Sequence, residues 1–192
     1  MRKVIENHIK DSIAAKDELL KLQVVNIESA AKAIIESLKA GKKLLVFGNG
    51  GSASDSQHMA AELVGRFKME RKGLPAIALT ANTSILTAIA NDYGYDVVFS
   101  RQIEALGVAG DVALGISTSG NSKNVIEAFR KAHALGMKTI ALSGSDGGSM
   151  KREVDISIIV ATKDTPRIQE SHIMIAHIIC ALVEDGMFGN KL

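Results

Sequence analysis

A histidine and a glutamate four residues apart, His58 and Glu62, follow a glycine-rich start in the stretch FGNGGSASDSQHMAAE, residues 47–62. On a helix such a pair shares one face, about 6 Å apart along the axis. An imidazole and a carboxylate at that spacing suit a metal-ligand pair or an acid/base pair. On a solvated face they would be no more than an ion pair. The glycines ahead of them let backbone N–H groups approach a ligand, and a helix N-terminus favours an anion there. Ser52 and Asp55 have the spacing of a capping box, which predicts a helix start just after the glycines. Gly48, Gly50 and Ala53 also fit G-x-G-x-x-A, the dinucleotide fingerprint. That fingerprint wants an acidic residue at the end of the next strand to hold a ribose. The next strand ends Leu79-Thr80-Ala81-Asn82 instead, and no Gly-Lys-Ser/Thr of a Walker loop follows the glycines.

A second loop reads STSGNS, residues 117–122. Ser117, Thr118, Ser119 and Ser122 bring hydroxyls to the start of another helix, and hydroxyls plus helix-end N–H groups can hold a phosphate without fixed charge. Alone this is as readily an ordinary Ser/Gly turn; two such loops in one sheet favour an anion site. The last helical stretch, TPRIQESHIMIAHIICALVEDGMF, embeds Gln169 and His177 in a very apolar run. Thr165 can cap it with Pro166 at the first helical position. His172 reads as a core histidine or a rim residue. His177 sits between Ile175-Ala176 and Ile178-Ile179, so its burial needs a reason, and a place beside His58 and Glu62 would supply one. Gln169 and His177 are eight apart, about 12 Å on a straight helix. They reach one point only if the side chains converge or the helix is irregular; otherwise one serves a neighbouring subunit. Asn91-Asp92 reads on its own as a helix stop.

The elements that must position these groups follow from periodicity. Residues 1–40 lack Gly and Pro and carry apolar residues at helical spacing, with a break near 23–26 and a stop at Gly41. The first helix either packs on its own domain or serves an oligomer. From residue 43, short apolar runs at 42–48, 75–79, 111–117, 138–144 and 155–160 alternate with helical segments at about 52–68, 84–91, 95–107 and 122–135, before a last helix from about 166 to 187. Fully apolar strands mark a sheet covered on both faces. Strand, helix, strand repeated predicts an α/β domain with a mostly parallel sheet between helices. No linker or repeat interrupts it, so residues 1–192 read as one domain.

Composition bounds the function. Hydrophobic residues make up 46% and aromatics 4% of 192 residues, so the core is built from aliphatic side chains. A net charge of +2 without an aromatic-interleaved basic patch gives no reason to expect a nucleic-acid partner. The single cysteine, Cys180, excludes an internal disulfide and suits a reduced cytoplasm. No signal-peptide core follows Met1 and no run of 18 apolar residues occurs, so no membrane partner is expected.

Taken together, GNGGSASDSQHMAAEL, AIANDYGYD, LGISTSGNS, LSGSDGG and RIQESHIMIAH resemble the phosphoheptose isomerases of the sugar isomerase (SIS) domain superfamily, over nearly the whole chain. The resemblance implies a three-layer αβα sandwich with a five-stranded parallel sheet. It also implies a homotetramer with residues 1–40 as its N-terminal helical oligomerisation segment. It implies an enzyme that converts D-sedoheptulose 7-phosphate to D-glycero-D-manno-heptose 7-phosphate by enediol proton transfer, toward the heptose of lipopolysaccharide or another surface glycan. Carried onto these residues, Ser117, Thr118, Ser119 and Ser122 would hold the phosphate. Asn49, Gly50, Gly51, Asn91, Asp92, Glu62 and Gln169 would contact the sugar. His58, Glu62, Gln169 and His177 would bind one zinc per subunit, with Glu62 as base and His177 as acid. Some members carry an Asp where Pro166 stands here. The competing class is a non-catalytic SIS protein that binds a replication initiator; such proteins lack the Glu and His matching Glu62 and His177.

Overall fold

A computed structural model describes residues 1–189. Two N-terminal helices, α1 (Arg2–Leu22) and α2 (Val24–Lys39), lead into β1 (Leu44–Gly48), α3 (Gly51–Val64), β2 (Ala76–Ala78), α4 (Thr83–Tyr93) and α5 (Val98–Leu106). Then come β3 (Val112–Ser117), α6 (Lys123–Ala134), β4 (Lys138–Gly144), β5 (Ile156–Val160) and α7 (Thr165–Phe188). The helix break falls at Gln23, whose side-chain oxygen accepts from the backbone N–H of Ile159 at 3.3 Å and so ties the hinge to the sheet. Gly41 stops α2 with φ +72°, a conformation that costs glycine little.

All five strands are parallel, in the order β2-β1-β3-β4-β5. Alternate residues of each central strand feed two cores, because side chains on a strand point to opposite faces. Leu44 and Val46, with Leu114, Ile140, Ile158, Ile175 and Ile179, fill the side covered by α2, α3 and α7. Leu45 and Phe47, with Phe99, Ile103, Val125 and Phe129, fill the side covered by α5 and α6. Phe47 anchors the latter, with ring centroids 5.5 Å from Phe99 and 5.4 Å from Phe129. A Cβ at Gly115 would collide with both Phe47 and Phe129, so this glycine lets α6 sit close on β3.

Several local expectations change. The central strands are covered on both faces, but the edges are not: Ile77 of β2 is 39% exposed. Helix α3 begins at Gly51 with Gly50 at its cap, so Ser52 lies inside it and forms no cap hydrogen bond. It stops at Val64 rather than 68, because the backbone N–H groups of Phe67, Lys68 and Met69 donate to the Glu184 carboxylate instead of continuing the helix. Asp164, not Thr165, occupies the cap position of α7. This helix is long and apolar enough to cross a membrane by length and composition alone. Here its apolar face, with Ile175, Ile179 and Val183, is packed in the core.

Candidate active site

The order of the strands fixes where a ligand can sit. The chain leaves β1 toward β2 on one side and returns to β3 on the other. The crevice at such a reversal, beyond the carboxyl ends of the strands, is where open parallel sheets bind ligands. Gly48 of β1 pairs with Ile116 of β3, so the 49–51 and 117–122 loops leave the sheet side by side. Asn49 is held by a reciprocal amide pair with Asn124, at 3.0 and 2.9 Å, and accepts from the Tyr95 hydroxyl at 3.2 Å. Those bonds tie the first loop to the start of α6 and to the segment after α4.

In the second loop, Ser117 Oγ lies 2.8 Å from Ser122 Oγ and 3.4 Å from Ser119 Oγ. Ser122 is the cap residue of α6, yet its hydroxyl makes no capping bond. A cluster of hydroxyls at the open end of a 12-residue helix, with the first-turn N–H groups beside them, is built to meet an anion. Thr118 presents its side chain in the same loop, while its carbonyl accepts from Gly144 N–H at 3.1 Å.

One helix over, α3 and α7 bring His58, Glu62 and His177 together. Ligand atoms of the three lie within 4.8 Å of one another. His58 Nε2 is 3.1 Å from Glu62 Oε1 and 3.3 Å from His177 Nε2. A single proton on His58 Nε2 can serve one of these contacts and not both, whereas a shared cation would satisfy all three groups. Two imidazole nitrogens and a carboxylate are a fitting set for a zinc that keeps an open position. Asp55, one turn before His58, adds to the fit. Its Oδ2 is buried without a hydrogen-bond partner among the described residues. Burial holds its pKa above the usual carboxylate range, with His58 and His177 offsetting only part of the rise. Carboxylates commonly stand behind ligating histidines. Gln169 lies elsewhere along α7: a Cβ on Gly51 would stand 2.6 Å from its Nε2, so the amide rests over the glycine loop.

The first 144 residues carry the wider family signature, since residues 7–144 match the model described as the SIS domain. Closer relatives span the rest. The phosphoheptose isomerase of Clostridium acetobutylicum is 54% identical over 194 residues, covering 100% of this chain and 99% of its own. The chain belongs to the phosphoheptose isomerases of the SIS domain family. The phosphoheptose isomerase of Geobacter sulfurreducens is 61% identical over 162 residues, covering 84% of this chain and 86% of its own. The solved structure of phosphoheptose isomerase from Neisseria gonorrhoeae superposes with a TM-score of 0.91 at 46% identity, over 96% of this chain and 98% of that one.

Within this phosphoheptose isomerase fold, the remaining expected residues are placed as follows. Asn91 and Asp92 lie exposed in the last turn of α4 and bond to each other, Nδ2 to Oδ1 at 2.9 Å; the helix ends two residues later, at Gly94. His172 is a fully buried core histidine whose Nε2 is 3.1 Å from the Ser143 carbonyl; burial pushes its pKa down to about 4. Burial pushes the Cys180 thiol up to about 12, which removes it as a nucleophile. Asp55, Asn124 and Tyr95 carry no sequence signal of their own as site residues. Asp55 was legible only as a cap, and the other two are recruited by tertiary contact.

Proposed function

We propose that the protein interconverts D-sedoheptulose 7-phosphate and D-glycero-D-manno-heptose 7-phosphate. The observation that carries this reading is the convergence of Glu62, His58 and His177 on helices beside a hydroxyl-lined anion loop, in a chain whose close relatives are phosphoheptose isomerases. The loop of Ser117, Thr118, Ser119 and Ser122, with the N-terminus of α6, takes the phosphate. Asn49, Gly50, Gly51, Asn91, Asp92 and Gln169 line the path of the sugar.

The reaction moves a proton from C1 to C2 through an enediol. Glu62 takes the C1 proton and returns it to C2. Its Oε1 is engaged with His58, which leaves Oε2 for the proton. His177 exchanges protons with the oxygens on C1 and C2 as the carbonyl moves between them. A zinc ion, one per subunit, would be held by His58, Glu62 and His177, and would supply Lewis-acid polarisation of the carbonyl; the fourth ligand expected from the resemblance, Gln169, rests over the glycine loop of the same chain instead.

The protein acts as a homotetramer in the cytoplasm, in a route to bacterial surface heptose. Support for assembly comes from α1, where Val4, Ile5, Ile9 and Ile13 are each more than half exposed on a helix with one buried residue, Leu19. A protein that only bound a replication initiator would have no use for the assembled Glu62–His177 pair, and no observation favours that class. Purified protein incubated with sedoheptulose 7-phosphate and followed by NMR should yield the aldoheptose phosphate, and a chelator should slow it. No aldose from folded protein would overturn the assignment.

A further inference from the structure

Behind the site lies an ion pair that the chemistry above does not use. Arg71, in the loop after α3, meets Glu184 on α7, Nε to Oε1 at 2.9 Å, and each side chain is 2% exposed. Replacing a buried ion pair by apolar residues is often neutral for stability, so its presence calls for another reason. Its hydrogen bonds supply one. Arg71 Nη2 donates to the Glu62 carbonyl at 2.8 Å and Nη1 to the Leu63 carbonyl at 2.7 Å. These are carbonyls of the last turn of α3, which otherwise lack helical partners, and a cation is favoured at that end. Glu184 accepts from the backbone N–H groups of Phe67, Lys68 and Met69 at 3.1, 2.7 and 2.9 Å. Burial alone would raise its carboxyl, but those N–H groups and Arg71 hold it below the usual range. The loop so held lays Phe67 against His177, ring centroids 5.7 Å apart.

We propose that the Arg71–Glu184 pair is a positioning clamp. It locks the end of α3, which carries Glu62, to α7, which carries His177, and seats Phe67 on the His177 ring. The inference rests on the isomerase reading for its kinetic test. The phosphate loop hangs on β3 and α6, away from the clamp, so the effect belongs to kcat and not to KM. Lysine keeps the charge but cannot make the forked set of bonds.

In Arg71→Lys, kcat for sedoheptulose 7-phosphate should fall about 10- to 100-fold, the cost of small misplacements in an active site. KM should stay within about twofold of wild type, the signature of an effect on the transition state alone. Phe67→Leu should lower kcat in the same sense while keeping the fold. Histidine-ring NMR signals of His58 and His177 should shift in both variants while that of His133, on the opposite side of the sheet, stays. A folded Arg71→Lys with wild-type kcat, or with its loss confined to KM, would overturn the clamp. Should Arg71→Lys not fold, wild-type kcat in Phe67→Leu would do the same. An inert wild type would sink the isomerase reading, and the clamp would then stand or fall on the histidine spectrum.

Discussion

Glu62 carries most of the chemical argument, because it is the carboxylate that faces both histidines of the cluster. Glu62→Gln keeps the shape and removes the proton acceptor. Turnover should fall by about 10²- to 10⁴-fold with the circular dichroism spectrum unchanged. His172 gives a second prediction, for stability. Its folded pKa of about 4 lies below the ordinary 6.5, so the folded protein favours the neutral ring. No penalty applies above pH 6.5. As pH falls from there toward 4 the unfolded chain takes up a proton that the folded one refuses, and up to about 3 kcal/mol is lost. Urea unfolding at pH 7 and pH 4.5 should show this loss in the wild type and a smaller one in His172→Gln. At this scale the sequence was legible where spacing is local. His58 and Glu62 declare themselves by four residues on one helix. Arg71 and Glu184 are 113 residues apart, and no periodicity joins them. Asp55 was visible but misplaced, because its helix starts at Gly51 rather than after Ser52.

At the scale of elements, the 117–122 loop, the proposed phosphate seat, is only as rigid as the segment that braces it. Met150 N–H donates to the Gly120 carbonyl at 2.9 Å, and Ser149 N–H to Asn121 Oδ1 at 2.9 Å. Gly120 itself has φ +65°, and a Cβ there would run into the Gly147 carbonyl. Gly120→Ala should therefore displace the loop and raise KM for the sugar phosphate by about tenfold or more, the scale of one lost phosphate hydrogen bond. Steady-state kinetics with the phosphorylated sugar would check it, and an unchanged KM would count against the loop as the phosphate seat. This explains the LSGSDGG stretch, whose part in the site its own sequence does not declare. Strands were legible because a strand covered on both faces is apolar throughout. Their neighbours' ends were less so. Glu184 takes the N–H groups that would have extended α3, a tertiary competitor that local propensity does not register.

At the scale of the whole molecule, five strands could be counted from the sequence, but their order could not. The order places the reversal between β1 and β3 and so decides which loops meet. The choice between an intradomain and an intermolecular role for α1 was likewise open, since an apolar stripe does not say what covers it. In the fold Ile5, Ile9 and Ile13 lie four apart and more than half exposed. If this stripe builds the proposed homotetramer, the double substitution Ile9→Glu, Ile13→Glu should lower the mass measured by light scattering. A tetramer that survives it would place the interface elsewhere. All three scales meet in one claim, that Glu62 passes a proton between adjacent sugar carbons. The most direct test is NMR of the product formed from sedoheptulose 7-phosphate in D₂O, by the wild type and by Glu62→Gln. The wild type should give aldoheptose phosphate with deuterium at C2, and the variant negligible product. Near-normal turnover in Glu62→Gln would contradict the claim, whereas the deuterium content at C2 reports how far the proton on Glu62 exchanges with solvent before it is delivered.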